Sequence, residues 1–147
     1  MTGNSTVLYL KQKAASKLIA VGIEDTFTLK IKNPKNSNWV AMYRGCSQFK
    51  NNGRGPIFWL SENIISDEDQ SIISILHEYG HVIAEWAYIR DEKLFQIIKD
   101  NWSGNYFNRP WDEEEFAEDF ANFCFGNFSY NSSVIKDIIS HYISGIN

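Results

Sequence analysis

Apolar residues recur along this chain in two periods, and the change from one to the other divides it. Leu8, Leu10, Ala14, Ala15, Leu18 and Ile19 form a stripe with Lys11, Lys13 and Lys17 off it, which predicts an amphipathic helix over residues 6–21 ended by Gly22. Residues 26–32 alternate strictly between polar and apolar, the pattern of a half-buried strand. A turn by composition over 33–38 leads to a second strand over 39–43, so these two strands are expected to pair as a hairpin. A Gly- and Asn-rich loop over 46–56 precedes a short third strand over 57–60.

Beyond that point the period becomes helical. Asp67 or Ser66 caps a long helix reaching about residue 90, and a second helix covers 91–100. After an irregular segment over 101–110, the capping-box pair Asp112 and Glu115 opens a third helix, which Gly126 stops near residue 125. A last helix spans 134–143. Strands precede helices, and no repeat or linker interrupts them, so residues 1–147 are expected to form one α+β domain.

Composition narrows the class of protein. Apolar residues at 44% and charged residues at 22% are those of an ordinary globule able to bury a core. No apolar run reaches about 18 residues, so no membrane span is expected. The first residues lack a basic stretch followed by an apolar one, which points to the cytoplasm or to export by a route the sequence does not display. Cys46 and Cys124 have no partner at metal-ligand spacing and are expected to be free, buried thiols. A net charge of −4 gives no support to nucleic-acid binding. The charge is uneven, however: residues 1–55 hold nine Lys/Arg against two acids, a net of +7, and residues 56–147 a net of −11. Mutual packing of the two halves accounts for this better than a basic patch facing an acidic partner does.

The chemistry is concentrated in the long helix, where His77-Glu78-Tyr79-Gly80-His81 reads His-Glu-x-x-His within an apolar run. Histidines four residues apart project from one helix face and can grip a single Zn²⁺, while the adjacent Glu78 can reach a water on that metal. A catalytic zinc needs one more protein ligand and an open position. The candidates are His141, the only other histidine, and the acidic stretch from Asp112 to Asp119. In that stretch Phe116, Phe120 and Phe123 mark an apolar face, and Ala117 and Ala121 form a small-residue strip that would let the helix approach the motif. Glu114 can then ligate the metal, and Glu118, one turn on, can accept the second ring N–H of a liganding histidine. Glu113 and Glu115 are expected to point elsewhere, with Glu115 serving the capping box. Stabilisation of the helix N-terminus by this acidic run is the alternative role for its members.

The motif, followed some thirty residues on by Glu114-Glu115-Phe116-Ala117-Glu118-Asp119-Phe120, resembles the gluzincin branch of the zinc metallopeptidases. It is most similar to the catalytic domain of anthrax lethal factor and its relatives, among them the Pro-Pro endopeptidases. The resemblance covers roughly residues 56–126. It implies a minimal zincin-like domain, with the N-terminal helix and a small three-stranded sheet over the motif helix, and a helical C-terminal part. It also implies one Zn²⁺ per chain held by His77, His81 and Glu114, with Glu78 as general base. Tyr106, eight positions before Glu114, matches the family's active-site tyrosine, with a spacing one residue different; a packing aromatic is the other reading of it.

The function so implied is a zinc-dependent endopeptidase acting on a protein or peptide substrate, which would lie extended along residues 57–60. A catalytically inactive or regulatory zincin-fold protein that binds a protein partner is the alternative, and a structural zinc site is a third. Oligomeric state and cleavage preference have no signature in the sequence.

Overall fold

The computed structural model describes residues 3–24, 27–33, 41–44, 56–102 and 113–146. Helix α1 spans Gly3–Ala20. Its inward line is Leu10, Ala14 and Leu18, each four residues from the next and all buried. Leu8 and Ile19, expected on the same stripe, are 56% and 54% exposed. Leu8 lies about 200° around the helix from Leu10, so the true contact face is a narrower seam. Gly22, at φ 99°, ends the helix in a left-handed turn, where the Gly22 N–H donates to the Ile19 carbonyl and the Ile23 N–H to the Leu18 carbonyl.

Three short strands follow: β1 (Thr28–Lys32), β2 (Ala41–Arg44) and β3 (Ile57–Ser61). Their order in the sheet is β1-β3-β2. The expected hairpin between the first two strands therefore does not form. Instead β3 pairs parallel with β1, Leu29 opposite Phe58, and antiparallel with β2, Tyr43 opposite Phe58. Burial explains the choice. Phe58 and Leu60 of β3 are fully buried, whereas β1 carries exposed lysines at 30 and 32, suited to an edge. The most apolar strand takes the centre.

Helix α2 (Glu68–Arg90) carries the His-Glu-x-x-His motif. Asp67 caps it by accepting the Gln70 N–H at 3.1 Å. Asp91 in turn caps α3 (Glu92–Asn101) through the Leu94 N–H, also at 3.1 Å, which accounts for the break expected near residue 90. Helix α4 (Glu113–Phe125) ends at Gly126, φ 98°, and α5 (Ser132–Ile146) closes the chain. The architecture is α+β, with α2 packed on the sheet, on α1 and α3, and most extensively on α4. No helix among the described residues is long and apolar enough to cross a membrane.

The two residues inside the motif do the packing. Tyr79 is fully buried, its ring 6.3 Å from Phe58 of the sheet, 6.4 Å from Phe120 of α4 and 6.1 Å from Tyr142 of α5. Its hydroxyl and that of Tyr142 share a hydrogen bond of 2.9 Å, so neither is left unsatisfied in the core. Gly80 faces α4, where a Cβ would stand 2.9 Å from the Ala117 Cα. That separation leaves no room for a side chain at position 80.

A buried carboxylate fixes the far side of α4. Asp119 is 3% exposed and accepts hydrogen bonds from the Trp102 indole at 3.0 Å and from the Tyr130 and Asn131 backbone at 2.9 and 3.3 Å. It ties the end of α3 and the α4–α5 turn to one helix face. At the C-terminal end of α4, the Lys17 ammonium of α1 donates to the Phe125 carbonyl at 3.1 Å.

The Gly80 contact sets two effects against each other. Alanine there would gain about 1 kcal/mol of helix propensity, but pressing a methyl against the Ala117 backbone costs about 1–3 kcal/mol. Gly80→Ala is therefore expected to lower stability by about 1 kcal/mol in urea denaturation. A gain of stability would show that the two helices separate freely.

Candidate metal centre

Helix α2 presents His77 and His81 one turn apart, their ring centroids 5.0 Å from each other and their Nε2 atoms 3.2 Å apart. Both side chains are largely enclosed, 16% and 13% exposed. Helix α4 runs antiparallel to α2 across the Gly80–Ala117 contact and brings Glu114 over both rings. One carboxylate oxygen lies 2.9 Å from His77 Nε2 and the other 2.8 Å from His81 Nε2. One ligand atom from each of His77, His81 and Glu114 lies within 4.8 Å of the others, a group that can hold a metal ion.

The outer ring nitrogens are held as well. His77 Nδ1 lies 3.1 Å from Glu118 Oε2, and His81 Nδ1 pairs with Glu113 Oε2. An ionised carboxylate has no proton to give, so each Nδ1 is the donor. In the neutral imidazoles, both Nε2 lone pairs then point inward, towards each other and the Glu114 carboxylate. Three acceptors converging on one point repel unless a cation or protons lie among them. That is the demand a small divalent cation satisfies: bonds of about 2.0–2.2 Å from two imidazoles and a carboxylate need donors spaced only slightly wider than these. The residues fit the ion.

Without a metal, protons fill this role. Burial alone would lower the His81 pKa, but the hydrogen bonds to Glu113 and Glu114 outweigh it and carry the imidazole up to about 10. The same balance raises His77, where burial again opposes the bond to Glu114. Bonds from His77 and His81 hold the Glu114 carboxyl well below the usual carboxylate range. Glu78 is 8% exposed, and its pKa is raised, chiefly because burial disfavours its charge.

Of the candidates that the sequence offers, the structure brings His77, Glu78, His81, Glu114 and Glu118 together. His141 is exposed on α5, outside the group of His77, His81 and Glu114 that could hold a metal. Asp119 faces Trp102 and the α4–α5 turn. Glu113 does not point away from the site as expected but lies against His81. Antiparallel helices explain it: if His77 meets Glu118, the histidine one turn further along α2 must meet residues one turn earlier on α4. That spacing was available in the sequence. Tyr106, Asp112 and Cys46 lie outside the described residues, while Cys124 is buried and free, its thiol pushed up to about 12 by burial.

No family model, curated protein or solved structure matches the chain.

The metal-free protein should be most stable in a defined pH window. His81, raised above its ordinary 6.5, contributes stability that is complete below about pH 6.5 and is lost as pH rises towards 10. Glu114, depressed below its ordinary 4.5, contributes stability above that value that is lost as pH falls. Thermal midpoints of the chelator-treated protein should therefore peak between these ordinary values, 4.5 and 6.5, and decline above them. A midpoint that keeps rising to pH 8 would contradict the pairing.

Proposed function

We propose that the chain is a zinc-dependent endopeptidase of the gluzincin type, built as one minimal zincin-like domain. The observation that carries this reading is the convergence of two imidazole Nε2 atoms and one glutamate on a point beside an enclosed Glu78. Zinc suits the donor set because two histidines and a carboxylate leave a tetrahedral ion one open position, the catalytic arrangement rather than the closed structural one. Bound there, zinc would supply Lewis acidity, polarising a carbonyl and making a water easier to deprotonate.

The protein's own residues would do the rest. His77, His81 and Glu114 hold the ion, and the carboxylates behind the histidines keep each ring's Nδ1 protonated. Glu78 takes the proton of the attacking water and returns it to the leaving amine. Its raised pKa, due mainly to burial, moves it towards the range in which one carboxyl can accept and then donate. By the resemblance, Tyr106 would stabilise the developing oxyanion.

The peptide cannot add to residues 57–60, as the sequence suggested. They form β3, whose two edges already pair with β1 and β2. An extended substrate needs a free edge, and among the described residues β2 is the edge strand on which α2 itself packs. We therefore place the peptide along β2.

Two measurements test the reading. Elemental analysis should find about one zinc per chain in the wild type, and far less in Glu114→Ala, which loses a direct ligand. Zinc retained in full by that variant would remove Glu114 from the ligand set. On a diverse peptide library, Glu78→Gln should keep the metal and lose about 10²–10⁴-fold in cleavage rate. Zinc binding with no Glu78-dependent cleavage would favour the non-catalytic, partner-binding alternative.

A further inference from the structure

We propose that Glu113 is the positioning residue of His81, and that it holds its histidine more firmly than Glu118 holds His77. The inference rests on the reading above that the triad binds zinc.

Glu113 is the first residue of α4, immediately before the ligand Glu114, and its Oε2 pairs with His81 Nδ1. An imidazole presents a lone pair to a metal only from the nitrogen that lacks a proton. With Glu113 accepting at Nδ1, the proton stays on the outer nitrogen and Nε2 faces the ion. If that acceptor is removed, the proton can move to Nε2 and the ring can turn. The two outer pairs also differ in enclosure: the Glu113 side chain is 39% exposed, the Glu118 side chain 60%. Water competes less for the better shielded carboxylate, so the Glu113 pair constrains its ring more. The helix therefore delivers three functions from one short stretch: Glu114 binds the ion, Glu113 orients one histidine and Glu118 the other.

A first-turn glutamate also stabilises a helix N-terminus, whatever it touches. Glu115 stands in that same turn, exposed, and serves as the control for that effect.

The experiment is Zn²⁺ affinity by chelator competition for wild type, Glu113→Ala, Glu113→Gln, Glu118→Ala and Glu115→Ala. Each variant is first checked for wild-type circular dichroism. Glu113→Ala should weaken zinc by about 10–100-fold, the usual scale for removing the carboxylate behind a ligand histidine. Glu113→Gln, whose amide oxygen still accepts the Nδ1 proton, should recover most of the loss. Glu118→Ala should lose less than Glu113→Ala, and Glu115→Ala should stay within about twofold of wild type. In nitrogen-15 spectra of the zinc-bound protein, the His81 Nδ1 proton should be slow to exchange in wild type and Glu113→Gln but not in Glu113→Ala.

Unchanged affinity in Glu113→Ala would overturn the proposal. So would an equal loss in Glu115→Ala, a glutamine variant no better than alanine, or a larger loss in Glu118→Ala. If wild type itself took up no zinc, the reading of the site would fall first. That result is distinguishable from a wild type that binds zinc and a Glu113 variant that binds it equally well.

Discussion

The close approach of α2 and α4 is the constraint on which the site depends. Gly80 lies against Ala117, with no room between them for an added methyl. Carboxylates on a neighbouring helix reach two histidines of α2 only if the helix axes are close, and this contact sets that closeness. Tyr79 fixes the other faces of α2 by touching the sheet, α4 and α5. The motif thus alternates chemistry and packing. His77 and His81 face the candidate metal site beside Glu78, and the two residues between Glu78 and His81 set the spacing of that site from α4.

That spacing gathers charge around the two imidazoles, from glutamates that stay largely exposed at Glu114 and Glu118. Glu113, Glu114 and Glu118 meet two histidines that are themselves mostly shielded from water. Buried charges are costly unless they are paired and hydrogen-bonded. Here either protons on the imidazoles or a divalent ion at the Nε2 atoms can supply the pairing. The two solutions compete, since a metal needs the lone pairs that the protons occupy. At the opposite end of α4, Lys17 caps the carbonyl of Phe125, so the helix is acidic where its dipole is positive and meets a cation where it is negative.

Much of this was legible in the sequence. The period of the apolar residues revealed the helices, Gly22 and Gly126 marked two of their ends, and of the two cap candidates, Ser66 and Asp67, the structure uses Asp67. Spacing, the Ala117 and Ala121 strip and the family resemblance together pointed to His77, His81, Glu114 and Glu118 on two facing helices, and the structure brings them together. What escaped was non-local. Strand order depends on which strand is most deeply buried, and adjacency in the chain favoured a hairpin where β3 instead inserted between β1 and β2. The stripe of α1 lost Leu8 and Ile19 because apolar residues exceed the width of the seam that packs. Glu113 was missed because single-helix periodicity assigns it a separate direction from Glu114. The antiparallel pairing of two helices gives both residues histidine partners.

The corrected strand order also changes how a substrate would meet the site. With Ile57–Ser61 at the centre of the sheet, its backbone groups pair on both sides and have none to offer. Recognition by strand addition then falls to an edge. Of the two edges that the sheet has among the described residues, β1 carries exposed lysines, a feature that discourages further pairing, whereas β2 packs on the helix that bears the histidines. In the peptidase reading, α2 thus holds the reactive groups while the strand packed on it aligns the backbone they act on. The catalytic helix and the recognition strand would then be set relative to each other by the core itself, through Phe58 of β3 and Tyr79 of α2.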